Sequence, residues 1–120
     1  MNAKQVNQVG KYVYKHLDGA FKVVTHSNTC DVYSTVLYQL PRLKCPIGKW
    51  DDIYEMTLCI SFTTYANKLR MNVNEVSPNE VTLGHIVVDD SIDVKELPSL
   101  IMSKIRKFVM KRYADYDFLY

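Results

Sequence analysis

Few residues in this sequence have the spacing that metal binding or catalysis requires. Three residues separate His26 from Cys30, and Cys45 follows fifteen residues later, so nitrogen and sulfur ligands for zinc are present. The chain has no Cys-x-x-Cys pair and no His-x-x-x-His pair, so a four-ligand site would have to be assembled from scattered residues. We therefore expect no metal site, because turn polarity and small buried thiols explain these residues better.

The sequence also lacks the motifs of nucleophilic catalysis and of phosphate binding. It contains no G-x-S-x-G, no G-x-x-x-x-G-K-S/T and no G-x-G-x-x-G, and its four glycines leave little for a phosphate cradle. We interpret His85 as a structural histidine on a strand, and Asp89, Asp90 and Asp93 as an acidic helix start without EF-hand spacing. We expect no cofactor. An enzyme whose site combines distant residues, near His85 or His26, stays an alternative to a non-enzymatic function.

A lysine stripe is the feature that favours nucleic-acid binding. Lys104, Lys107 and Lys111 recur at three- and four-residue steps near the C-terminus, and such a row can follow a phosphate backbone. The net charge of +2, from 15 basic and 13 acidic residues, is too small to imply a polyanionic partner by itself. A solvated helix face is the competing interpretation of the same stripe.

Aromatic residues in two segments favour protein binding. Tyr116, Phe118 and Tyr120 crowd the C-terminus, where they either fold back on the domain or insert into a partner. We predict that they fold back, because such apolar ends are costly to expose to water. The single tryptophan, Trp50, lies in the segment 41–52, which has two prolines, no clear period and the length of a functional loop.

Alternating apolar and polar residues predict the sheet that must position these groups. Residues 54–63 alternate without a break, and segments 69–74 and 81–88 follow after short turns, which indicates an antiparallel meander. Two earlier strands are predicted at 21–25 and 31–40, with a polar turn at 26–29 between them. The chain therefore has about five strands.

Helical periodicity at both ends completes the predicted fold. Apolar residues recur at three- and four-residue steps over 4–17, before Asp18-Gly19, and again after Asp93, with Pro98 in the first turn of the second helix. Packing both apolar stripes on the apolar face of the sheet buries all three surfaces. We predict one α+β domain over residues 1–120, a two-layer sandwich with the N- and C-terminal helices on one face of an antiparallel sheet.

These features favour a non-enzymatic protein-interaction or adaptor module, which is our first hypothesis; a subunit of a larger complex is one form of it. Its partner would be another protein or a second copy, bound through Trp50, Tyr116, Phe118 and Tyr120 or through an open sheet edge. Binding of RNA or DNA through the lysine stripe is the alternative. The three cysteines cannot all pair, and no apolar segment is long enough to cross a bilayer, so we expect a cytoplasmic or nuclear protein without membrane contact.

Overall fold

The computed structural model describes residues 3–27, 32–44, 53–66, 68–76, 82–88, 93–112 and 117–118. Two α-helices and eight strands lie in these ranges, and a short 3-10 helix, Val94–Glu96, leads into the second α-helix. In chain order they are α1 (Ala3–His16), β1 (Ala20–Ser27), β2 (Val32–Gln39), β3 (Leu43–Lys44), β4 (Ile53–Tyr54), β5 (Thr57–Tyr65), β6 (Lys68–Glu75), β7 (Thr82–Val88), α2 (Leu97–Arg112) and β8 (Asp117–Phe118).

The main sheet has five antiparallel strands in the order β1-β2-β5-β6-β7, which confirms the predicted meander. The hairpin between β5 and β6 pairs Tyr65 with Lys68, so its turn has two residues. Its first residue, Ala66, has φ +50°, the left-handed backbone that the favoured two-residue hairpin turns require. Turn geometry therefore overrides the usual preference of alanine for negative φ.

Both helices pack on one face of this sheet, as predicted for a two-layer α+β sandwich. α1 lies against β1, β2 and β5, and α2 contacts β7 and α1. Every second residue of the central strands faces the helices, and the apolar stripes of both helices complete the core. Its fully buried members include Val6, Val13, Val36, Leu58, Ile60, Phe62, Met71, Ile105 and Val109.

Two glycines allow the helices to approach the sheet closely. A methyl group at Gly10 in α1 would collide with the hydroxyl oxygen of Ser34, a buried residue of β2. A methyl group at Gly84 in β7 would come within 2.5 Å of the aromatic ring of Phe108 in α2. Each glycine thus sets the position of one helix, because any larger side chain would have to displace it or its contact residue.

The start of the second helical segment follows the sequence prediction. The Asp93 carboxylate accepts a hydrogen bond from the Lys95 backbone N–H at 3.1 Å, which caps the 3-10 helix. Pro98 is the second residue of α2, in the first turn, as predicted. α2 continues directly from the 3-10 helix, because Leu97 already has helical backbone angles.

Three local predictions are wrong. His26 and Ser27 belong to β1 rather than to a turn. The predicted loop 41–52 contains a strand, Leu43–Lys44, and the unbroken strand predicted over 54–63 is interrupted at Glu55 and Met56. The common cause of the last two errors is a second, three-stranded sheet in the order β4-β3-β8, whose pairs are too short to produce a periodic pattern.

Candidate interaction surfaces

The second sheet continues the two central strands of the main sheet. Gln39 pairs with Thr57, and the next residue, Leu40, donates its backbone N–H to the Met56 carbonyl oxygen at 3.0 Å. After a shift of one residue at Pro41 and Arg42, β3 pairs with β4. The ribbon thus runs past the point where β1 and β6 stop pairing with it. We call the three strands β3, β4 and β8 the arm.

Hydrogen bonds of one side chain hold the two central strands of the main sheet together next to the arm. The Gln39 amide nitrogen donates to the carbonyl oxygens of Leu40, at 3.4 Å, and Met56, at 3.2 Å. Its amide oxygen accepts a hydrogen bond from the Thr57 hydroxyl at 2.9 Å. The amide therefore bridges the two strands where proline removes a backbone donor.

The C-terminal segment returns to the arm and supplies its third strand. Leu43 pairs with Phe118, and Lys44 pairs with Asp117, so the chain folds back at these two residues. The arm thereby joins the two segments that the sequence singled out separately, the segment 41–52 and the aromatic C-terminus. Of the predicted contact residues, Phe118 lies in β8, whereas Trp50, Tyr116 and Tyr120 lie outside the described residues.

Within this three-stranded order, β3 is central and β4 and β8 are the edges. An edge strand uses only one of its two hydrogen-bonding sides, and within the described residues the outer sides of β4 and β8 pair with no further strand. The Arg42–Glu55 ion pair, with Nε and Oε1 3.3 Å apart, lies at the base of the arm. Both side chains are more than 60% exposed, so the pair contributes little to stability.

Two adjoining grooves lie between the arm and the helices. One, of about 690 Å³, separates the C-terminal end of α1 from α2, and the other, of about 610 Å³, lies at the base of the arm. Asp18, Met102 and Arg106 line both. The first groove also contains His16, Ser99 and Ser103, which are residue types of nucleophilic catalysis.

The contacts of His16 do not form a catalytic pair. Its ring stacks on Tyr12, with the ring centroids 4.3 Å apart and the planes inclined by 36°. Among the described side chains, no hydrogen bond joins His16 to Ser99 or Ser103. A serine nucleophile requires a base within hydrogen-bond distance, so the groove has the residue types of catalysis without the required arrangement.

The face of the main sheet away from the helices is mostly polar along β5 and β6. Threonine, serine and asparagine alternate with the buried positions of β5 and β6, and His26 and His85 lie on the two edge strands. Four strand spacings separate those histidines, a distance of about 19 Å. They therefore cannot act together on one small substrate. Cys59 on this face is a free thiol, with its Sγ 3.7 Å from the Ser61 Oγ.

Among the residues that the structure describes, no three His, Cys, Asp or Glu side chains lie close enough together to hold a metal ion. Of the residues considered for zinc, Cys30 and Cys45 lie outside the described ranges, as do Asp89 and Asp90 of the acidic segment. In the same described ranges, no helix is long and apolar enough to cross a membrane.

The lysine stripe lies on the solvent side and flank of α2. Lys107 and Lys111 are exposed, and Lys104 is half-buried. The sequence prediction considered this stripe alone, although α1 lies on the same face of the sheet and carries Lys4, Lys11 and Lys15. Neither helix contains an acidic residue, and this is the sequence signal for a shared positive surface that the stripe alone does not give.

Comparison of the chain with protein-family models, with curated proteins and with solved structures finds no match. Function must therefore be argued from these surfaces alone.

Proposed function

We propose that this chain is a non-enzymatic protein-interaction module that binds its partner through the arm. The observation that carries the proposal is the pairing of Leu43–Lys44 with both Ile53–Tyr54 and Asp117–Phe118. This pairing brings residues 117–118 of the C-terminal segment beside residues 43–44, which in turn pair with residues 53–54 at the other end of the segment that contains Trp50. Aromatic side chains dominate the binding energy of protein interfaces, and clustered ones more so than scattered ones.

The arm also supports a specific mode of binding. Its edge strands β4 and β8 offer backbone groups to an extended segment of the partner, which would add as a fourth strand. Backbone hydrogen bonds would then supply affinity, and the neighbouring Trp50, Tyr116, Phe118 and Tyr120 would supply side-chain specificity. A second copy of the chain offers the same edges, so self-association is the homotypic form of this proposal.

The core of the main sheet does not compete with this role. The arm lies beyond the last pairing of β1 and β6 with the central strands, so a partner can approach it without displacing a helix. The molecule is correspondingly elongated, with principal extents of 51 × 28 × 24 Å.

Site-specific photo-crosslinking tests the proposal. We would place p-benzoylphenylalanine at Phe118 in the arm or at Trp50, which lies between β3 and β4 in sequence, and in a matched chain at Val87, which is 45% exposed at the opposite end of the sheet. We expect positions 118 and 50 to crosslink the same partner, or a second copy, in nuclease-treated native lysate, and Val87 not to. Equal yields from all three positions, or no crosslink from the arm, would contradict the proposal.

A further inference from the structure

The two helices carry an unbalanced positive charge. α1 contains three lysines, and α2 contains three lysines and two arginines, with no acidic residue in either. The rest of the chain therefore has seven basic and 13 acidic residues. A net charge of +2 hides this separation, because the charges of opposite sign lie in different segments of the chain. We call the exposed side of α1 and α2 the helix layer.

The lysines of α1 form the outermost row of this layer. At 3.6 residues per turn, Lys4, Lys11 and Lys15 point away from the side that buries Val6 and Val13. All three are exposed, and the row extends about 16 Å along the helix axis.

The lysines of α2 form a second row on the same face of the sheet. Lys104, Lys107 and Lys111 extend for about 10 Å along α2, and helices in contact have axes about 8–10 Å apart. No ion pair within the described residues engages Lys11, Lys15, Lys107 or Lys111. Asp18 lines the same groove as Lys107, and Asp93 and Glu96 precede α2, but none of the three pairs with these lysines. Within the described residues, the charges of these four lysines are therefore not paired.

We infer that the helix layer binds the phosphodiester backbone of a nucleic acid. Two rows of lysines match a line of phosphates in charge and in length, without requiring base contacts. An anionic membrane is the competing polyanion, but helices that lie in a membrane surface insert large apolar side chains. In the described part of the layer, one large hydrophobic residue is exposed, Tyr14, at 39%. The layer therefore offers little for insertion into a membrane.

Fluorescence anisotropy tests this inference independently of the arm. The probes are fluorescein-labelled single-stranded RNA, duplex RNA and duplex DNA of one length, titrated at several KCl concentrations. Four to six phosphate contacts predict a slope of log K against log salt of about −4 to −5 for duplex DNA. Vesicles containing phosphatidylserine serve as the membrane arm of the experiment.

Two charge-matched variants separate position from net charge. The double variant Lys15→Glu with Lys107→Glu changes the helix layer, and Lys22→Glu with Lys68→Glu makes the same charge change at exposed residues of β1 and β6. We expect the first to weaken binding and to reduce the slope by about two, because each lysine–phosphate contact contributes about one. The second should leave the slope unchanged.

Several outcomes would overturn the inference: equal loss in both double variants, binding that does not depend on salt, binding to vesicles but to no nucleic acid, or no binding at all. Circular dichroism of both variants checks that the helices persist. A difference in affinity between the three nucleic acids would identify the preferred backbone. The two double variants would then be compared on that nucleic acid.

Discussion

The helix layer takes its surface from two continuous segments of chain, α1 and α2, whereas the arm is assembled from three separate strands of two residues each. The first surface carries the lysines of both helices, and in the second the strands β4 and β8 are edges of the sheet that the described residues form. The two surfaces share one support, because α1 packs on β2 and β5 and the arm continues those strands. One small core therefore supports both surfaces, and we expect that each can be changed separately.

The largest predicted effect removes this shared support. Phe62 of β5 is fully buried, so Phe62→Ala should lower the free energy of unfolding by about 3–5 kcal/mol through lost burial and a cavity. Chemical denaturation measures the change, and both binding activities should fall with the folded fraction. The control, Phe21→Ala, changes a residue that is 52% exposed and should cost about 0.5 kcal/mol or less. Similar losses in both variants would mean that β5 is not the support.

An intermediate effect should be confined to the helix side. Gly84→Ala places a methyl group against the Phe108 ring, so α2 or the ring must move, at a cost of about 1–3 kcal/mol. Adding Phe108→Leu should recover part of this loss, because the smaller side chain makes room for the methyl group. Denaturation of the single and double variants measures the coupling, while crosslinking from position 50 should persist. Strictly additive losses of stability would show that Gly84 and Phe108 do not set the distance between β7 and α2.

The smallest effect on stability is expected in the arm. Leu43 lies in the central strand of the arm, and Leu43→Pro removes a backbone donor between β4 and β8. Crosslinking from positions 50 and 118 should disappear, while the free energy of unfolding changes by about 1 kcal/mol or less, since the core is untouched. Leu43→Val, which keeps the N–H group and suits a strand, is the control. A cooperative loss of the whole fold would show that the arm is part of the core.

The same contrast explains what could be predicted from the sequence. The helices and the meander were predicted because their signals are local: the helical spacing of Val6, Val9 and Val13, and the alternation from Met56 to Phe62. The face that the helices cover followed from matching apolar surfaces.

The arm could not be predicted by these means. A strand of two residues has no measurable period, and β3 depends on β8, which is more than seventy residues away. The alternation from Tyr54 onward fits one strand equally well, because pattern alone does not show that Pro41 shifts the register of the opposing strand.

The candidate site was predicted only in part for a different reason. The stripe of Lys104, Lys107 and Lys111 is visible in sequence, but its importance depends on Lys4, Lys11 and Lys15 lying on the same face. Sequence spacing within one helix contains no information about its neighbour. Counting acidic residues for each predicted helix, rather than for the whole chain, would have given the signal.

The central claim is that the arm and the helix layer bind different partners independently. Crosslinking from position 50 in nuclease-treated lysate tests it most directly when the unaltered layer is compared with the Lys15→Glu, Lys107→Glu double variant. We predict the same crosslinked partner in unchanged yield, since neither substitution touches the arm. Loss of that crosslink in the double variant, with the helices intact by circular dichroism, would contradict the claim and would make the two surfaces one site.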